Sequence, residues 1–139
     1  NWEFAKKIQY VSELSPVIEE KNVDIFFTSG TIQYLPDPYA PLEKVADSDI
    51  PIVALTRNNF SLNTKIVVQR SSLSSNGPGQ HNEKYGNPYI YYPNTSVEKT
   101  KVMNIFLSRG YEMLIDTSGT ASGIYGSENF SGDIVMIKK

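Results

Sequence analysis

Residues 28–39, TSGTIQYLPDPY, concentrate the side chains that could do chemistry. They follow an apolar run, VDIFF, and offer hydroxyls at Ser29 and Thr31, an amide at Gln33, a phenol at Tyr34 and a carboxylate at Asp37. A short run rich in β-branched and aromatic residues, apolar on both faces, reads as a buried parallel strand. Ligands of open α/β sheets bind beyond the carboxyl ends of such strands, which is where this segment falls. Gln33 and Tyr34 are therefore candidates to face a bound molecule. The plain structural alternative is that Tyr34 and Leu35 pack on the sheet while Gln33 caps a turn. Gly30 either permits close approach of a ligand or supplies a turn with positive φ. Asp37 before Pro38 has the pattern of a helix cap and first position, which favours a cap over a catalytic base.

Further along, Arg57 in LTRNNF follows a second buried run and offers forked donors to an acceptor carboxylate or phosphate, or to a structural ion pair. His81 is the single histidine; it reads either as a general base near neutral pH or as a solvated side chain. Tyr85, Tyr89, Tyr91 and Tyr92 either shape an aromatic acceptor pocket or pack in a core. With one histidine and no cysteine, there is no disulfide framework, no thiolate metal site and no histidine cluster. No Ser-His-Asp order with a hydrolase turn and no phosphate loop occurs.

The elements that position these residues follow from the pattern. NWEFAKKI has Trp2, Phe4 and Ile8 at helical spacing, and IQYVSEL alternates as a short strand. Ser15-Pro16 starts a brief helix. Strands are expected near 24–28, 51–56 and 65–71, with a helix over YAPLEKVAD that turns Leu42 and Val45 inward. Residues 71–96 read as one long loop, beyond the ~12–15 residues usual for such a segment, and so as a functional loop. Thr95 and Glu98 form a capping box before a helix at 96–109, with Val102, Ile105 and Phe106 on its apolar face and Gly110 closing it. Strands near 111–117 and 132–138 pair as an antiparallel hairpin. Strand and helix alternation implies an α/β domain with a largely parallel sheet.

Composition limits the function. The chain has 139 residues, 40% apolar and 20% charged, with a formal charge of -2. That suits one globular domain. Without a basic run, nucleic-acid binding through a basic face is not expected. No apolar stretch approaches the ~20 residues needed to cross a bilayer, so no membrane span is expected. The absence of cysteine and of a visible signal peptide fits a cytoplasmic protein, and Asn1 in place of Met implies a start inside a longer protein.

The segment SGTIQYLPDPYAPLE, then LTRNNF, then IVVQ resembles a family of class I S-adenosylmethionine-dependent methyltransferases with an SGxLQYLxDPYxxLE core. The terminal helix, GYE and final hairpin follow in that family's order, so the likeness covers most of residues 8–139. It implies a Rossmann-like sheet, mostly parallel, with a terminal antiparallel hairpin. It implies S-adenosylmethionine as cofactor, with Ser12, Ser29, Gly30 and Thr31 on its side of the cleft. Ser12 and Glu13 fall where adenine contacts occur in the resembled fold. It also places Gln33, Tyr34, Arg57, His81 and Tyr85 on the side of a small-molecule or glycan-type methyl acceptor. Asn58-Asn59 replaces the family's Thr-Pro, and the 71–94 loop departs from its pattern. Upstream of VDIFF there is no glycine-rich turn and no ribose-binding acid. The resemblance therefore implies a single domain, 1–139, that is the carboxyl-terminal half of such an enzyme with the amino-terminal strands missing. A non-catalytic binding or scaffold domain of the same fold is the rival reading.

Overall fold

The computed structural model describes residues 8–20, 22–72, 88–117 and 129–139. Its elements run α1 (Ser15–Glu20), β1 (Ile25–Ser29), a 3₁₀ turn (Ile32–Tyr34), α2 (Ala40–Asp47), β2 (Ile52–Ser61), β3 (Lys65–Ser72), β4 (Tyr89–Glu98), α3 (Lys99–Leu107), β5 (Tyr111–Asp116) and β6 (Asn129–Lys138). The strands form one mixed sheet of six strands. β1 pairs parallel with β2 from Ile25↔Ile52 to Ser29↔Thr56, as the two apolar runs predict. β5 and β6 form the expected antiparallel hairpin, and β6 continues antiparallel onto β2.

β2 is the spine. One edge is occupied by β6 from Ile52 to Ser61. The other edge is shared: β1 takes Ile52–Thr56, and β4 takes only Phe60 and Ser61 in a short parallel contact. β4 then leaves with β3 as an antiparallel ribbon from Lys65↔Ser96 to Ser72↔Tyr89.

Helices α2 and α3 cover one face of this sheet. Leu42 and Val45 of α2 and Val102 and Phe106 of α3 are fully buried against Val53, Leu55, Ile134 and Met136. Phe106 meets Tyr111 edge-on at 5.3 Å. The opposite face holds Ile25, Phe27, Ile52, Ala54, Val135 and Ile115, placed side by side by the register. Ile25 is 54% exposed and Phe27 64% exposed, and no described helix covers them. β1 also has no described strand on its far edge. The expectation that β1 is central with two buried faces is thus corrected: only the Phe26 and Thr28 face is packed. Polypeptide that would bury the other side is not among the described residues.

Four other expectations change. Residues 8–14 carry no strand despite their alternation: they pair with no strand of the sheet, even though the far edge of β1 has no described strand beside it. TRNNF does not follow β2 but is part of it. The 71–96 loop shrinks, since Ser71–Ser72 end β3 and 89–98 is β4. Thr95 is a buried strand residue, and α3 starts at Lys99 with Glu98 as a cap that makes no side-chain bond, so there is no capping box. Gly110 ends α3 as expected, with φ of 84° and its N–H on Leu107 O. Residues 1–7 lie outside the described residues. Among those described, no helix is long and apolar enough to cross a membrane.

Candidate functional site

The carboxyl ends of β1 and the middle of β2 meet at one point. β1 ends at Ser29, and Gly30 turns the chain with φ of 60°. Its N–H still donates to Thr56 O at 2.8 Å, so the turn hangs on β2. Thr31 is exposed, and its hydroxyl donates to Ser29 O at 3.2 Å. Beside them β2 carries a bulge. Leu55 pairs with Ile134 and Asn58 with Gly132, so Thr56 and Arg57 together face Asp133. Arg57 takes φ of 55°, unusual for a residue with a Cβ. Its backbone N–H donates to Asp133 Oδ1 at 2.8 Å. Asp133 is itself held by Thr117, whose hydroxyl accepts the Asp133 N–H at 2.9 Å. The Arg57 side chain is exposed and has no ion-pair partner among the described residues.

On the opposite edge of β2, β1 pairs as far as Thr56 and β4 only from Phe60, which leaves a stretch between them with no described strand beside it. Gln33 fills that gap. It is 7% exposed, and its Oε1 accepts the Asn59 N–H at 3.0 Å. A backbone donor that would lie open on a sheet edge is thereby satisfied. Gln33 therefore caps a strand edge rather than a turn. Its neighbour Tyr34 stays 45% exposed and lies edge-to-face with Tyr92 at 5.7 Å. Asp37 supports the start of α2 from two residues before its N-cap, which is Tyr39, so Pro38 is not the first helical position: Asp37 Oδ1 accepts the N–H groups of Tyr39 at 2.8 Å and Ala40 at 3.2 Å.

Ser29, Gly30, Thr31, Gln33, Tyr34 and Arg57 are thus brought together at one end of the sheet. Ser12 is not joined to them: it is exposed in the irregular stretch before α1. His81 and Tyr85 lie outside the described residues. Among the described residues no group of three or more acidic or histidine side chains could hold a metal ion.

Sequence reasoning missed Asn59, Asn94 and Gln69, whose amides join one another in this region. The signal available was the Asn58-Asn59 departure from the family pattern. Asn58, the other half of that departure, is fully buried on the helix-covered face, and neither its Oδ1 nor its Nδ2 has a hydrogen-bond partner.

No protein-family model matches the sequence. No curated protein matches it. Among solved structures, the chain is similar to the N-terminal domain of EvdMO1 crystallised in the presence of SAH and D-fucose, at 13% identity and a TM-score of 0.45, over 84% of this chain and 47% of that one. It is also similar to the glycopeptide N-methyltransferase MtfA complexed with (S)-adenosyl-L-methionine, at 9% identity and a TM-score of 0.42, over 80% and 51% of the two chains. The chain spans about half the length of these structures.

Proposed function

We propose that this chain is the acceptor-side half of an S-adenosylmethionine-dependent methyltransferase domain, with the cofactor's other wall supplied by an upstream segment. The observation that carries this reading is the unequal covering of the sheet. Parallel strands of α/β domains are normally covered on both faces. Here α2 and α3 cover one face, while Ile25 and Phe27 are exposed on the other and, among the described residues, β1 has no strand on its far edge. An added strand and helix layer would complete a doubly wound sheet and place β1 at its centre. The residues at the carboxyl end of β1 would then line the ligand crevice.

The residues present fit one wall of a cofactor site. Gly30 brings main chain to the rim, with the Ser29 side chain half-buried and Thr31 exposed beside it. No carboxylate among Ser29–Tyr34 could take up ribose hydroxyls, so that contact falls to the upstream segment. S-adenosylmethionine, when bound, supplies a methyl group on a positively charged sulfur, open to in-line attack. This chain's share of the work is positioning. Gln33 and Asn59 fix the rim, and Tyr34 and Tyr92 wall the side where an acceptor enters. Such a transfer draws mainly on alignment and a shielded site.

The test is transfer of a labelled methyl group by a protein carrying both halves, with residues 1–139 alone as control. Label should move only with the longer form. A folded longer protein that binds no cofactor would leave the scaffold reading in its place.

A further inference from the structure

A run of amide side chains crosses from β2 to the β3–β4 ribbon. Asn59 Nδ2 donates to Asn94 Oδ1 at 3.3 Å, and Asn94 Nδ2 donates to Gln69 Oε1 at 3.2 Å. The inner end is anchored by Gln33 through the Asn59 N–H. A cavity of about 230 Å³ opens on this run, lined also by Val67, Ser96 and Phe130.

The run does not use up its hydrogen-bonding capacity. A side-chain amide has two N–H donors and a carbonyl with two lone pairs. Gln69 spends only its carbonyl, and Asn59 only one N–H of its side chain, so the Gln69 NH₂ and Asn59 Oδ1 have no partner among the described residues. Because each amide is oriented by the next, these free groups are held in place rather than swinging in solvent. Among the described residues no charged side chain lines the cavity.

We propose that this cavity is a binding subsite for a neutral, polyhydroxylated ring, that is, a glycosyl unit; its role as the methyl acceptor rests on the methyltransferase reading above. The chemistry selects the class. Lys99, whose Nζ lies 5.8 Å from the Phe130 ring centroid, is already paired with Asp116, so a charged ligand would lose hydration here with no opposite charge among the lining residues to meet it. A sugar hydroxyl both donates and accepts, which matches amides that offer N–H and C=O side by side. The C–H face of a ring has apolar partners in Phe130 and Val67. A planar heterocycle needs a slot between flat faces, and Phe130 is the single aromatic ring among the described lining residues. Gln69 and Asn94 thereby become specificity residues that orient hydroxyls.

The test is saturation-transfer NMR on the full chain. Probes are the methyl glycosides of neutral hexoses and 6-deoxyhexoses, with adenine as a planar neutral control that carries no sugar and methyl glucuronide as an anionic one. At least one neutral glycoside should bind, and neither control should compete with it. Gln69→Ala should weaken that binding about five- to tenfold, the loss expected for about one or two hydrogen bonds. Asn94 is buried, so Asn94→Ala serves as the second variant only once its circular dichroism matches the parent. No binding by any neutral glycoside, stronger binding by either control, or binding unchanged in Gln69→Ala would overturn the proposal. S-adenosylhomocysteine is titrated into the same samples. Cofactor binding without glycoside binding defeats this subsite alone. Glycoside binding in a two-half protein that takes no cofactor defeats the methyltransferase reading and leaves the subsite standing.

Discussion

Gly30, just after β1, lies against Arg57 of β2, and both adopt the left-handed backbone conformation. A Cβ added to Gly30 would sit 3.4 Å from Arg57 O and 3.9 Å from Arg57 Cβ. The left-handed conformation costs a residue with a side chain about 1–2 kcal/mol, whereas glycine adopts it freely. Arg57→Gly should therefore raise stability by about 1 kcal/mol, and Gly30→Ala should lower it by about 1–2 kcal/mol. Urea unfolding of both variants checks this. A destabilised Arg57→Gly would mean that the arginine side chain, rather than the bulge geometry, holds this corner.

Phe27 tests the bare face. In residues 1–139 alone it is exposed, so Phe27→Lys should change stability by no more than about 0.5 kcal/mol. If an upstream layer covers that face, the same change in the longer protein should cost at least the ~1.5–3 kcal/mol of a buried large apolar side chain. Equal effects in both forms, measured by denaturant melts, would show that nothing covers Phe27.

The sequence exposed the parts whose cause is local. Apolar runs of matching length mark β1 and the first half of β2, and Leu42, Val45, Val102 and Phe106 mark helix faces by spacing alone. What it concealed depended on partners distant in sequence. TRNNF reads as lying beyond the strand because the apolar run ends and asparagine is a poor strand former; it stays in β2 because β6 pairs with it on both sides of the bulge. YIYYPNTSVE looks like loop because Pro93 and Asn94 interrupt it; it is a strand because β3 lies alongside. Thr95 and Glu98 imitate a capping box at the right spacing, but the strand continues through them. IQYVSEL is the converse, with strand alternation but no pairing in the sheet, which shows that alternation alone does not make a strand. At the site, Gln33 was legible as a polar residue at a strand end. Its actual partner, the Asn59 N–H, was not, since nothing local places residue 33 beside a gap in another strand's edge.

Asn58 carries a buried amide with no partner. A polar group left unsatisfied in this way costs about 1–3 kcal/mol. Asn58→Leu, close in size, should be neutral or stabilising by up to about that amount, as read from the urea midpoint. Asn58→Asp should be strongly destabilising, because it adds a charge at the same place. A loss of more than about 2 kcal/mol in Asn58→Leu would point to a bonded water or ligand on that amide.

Tyr111 supplies a pH dependence. Its hydroxyl donates to Ile50 O at 2.8 Å, and burial, with Asp49 nearby, raises its ionisation above the usual phenol value. A raised folded-state value means that the neutral form is favoured by folding. The stabilisation is complete below about pH 10, the unfolded value, and is lost as pH rises through the higher folded value. Thermal melts between pH 8 and 11 should show a steeper alkaline loss in the parent than in Tyr111→Phe, which cannot ionise. At neutral pH the variant should be less stable by about 0.5–1.5 kcal/mol, the worth of the lost bond. Identical alkaline slopes would exclude Tyr111 as the titrating group.

Under the proposed function this chain holds one wall of a cofactor site and needs another. Calorimetric titration with S-adenosylhomocysteine tests it directly, comparing residues 1–139 with a form that carries the upstream segment. The short chain should bind in the millimolar range or weaker, equivalent to about -4 kcal/mol or less favourable, and the longer form at least about tenfold tighter. Micromolar binding by residues 1–139 alone would contradict the account, because the wall at Ser29–Tyr34 would then be a whole site.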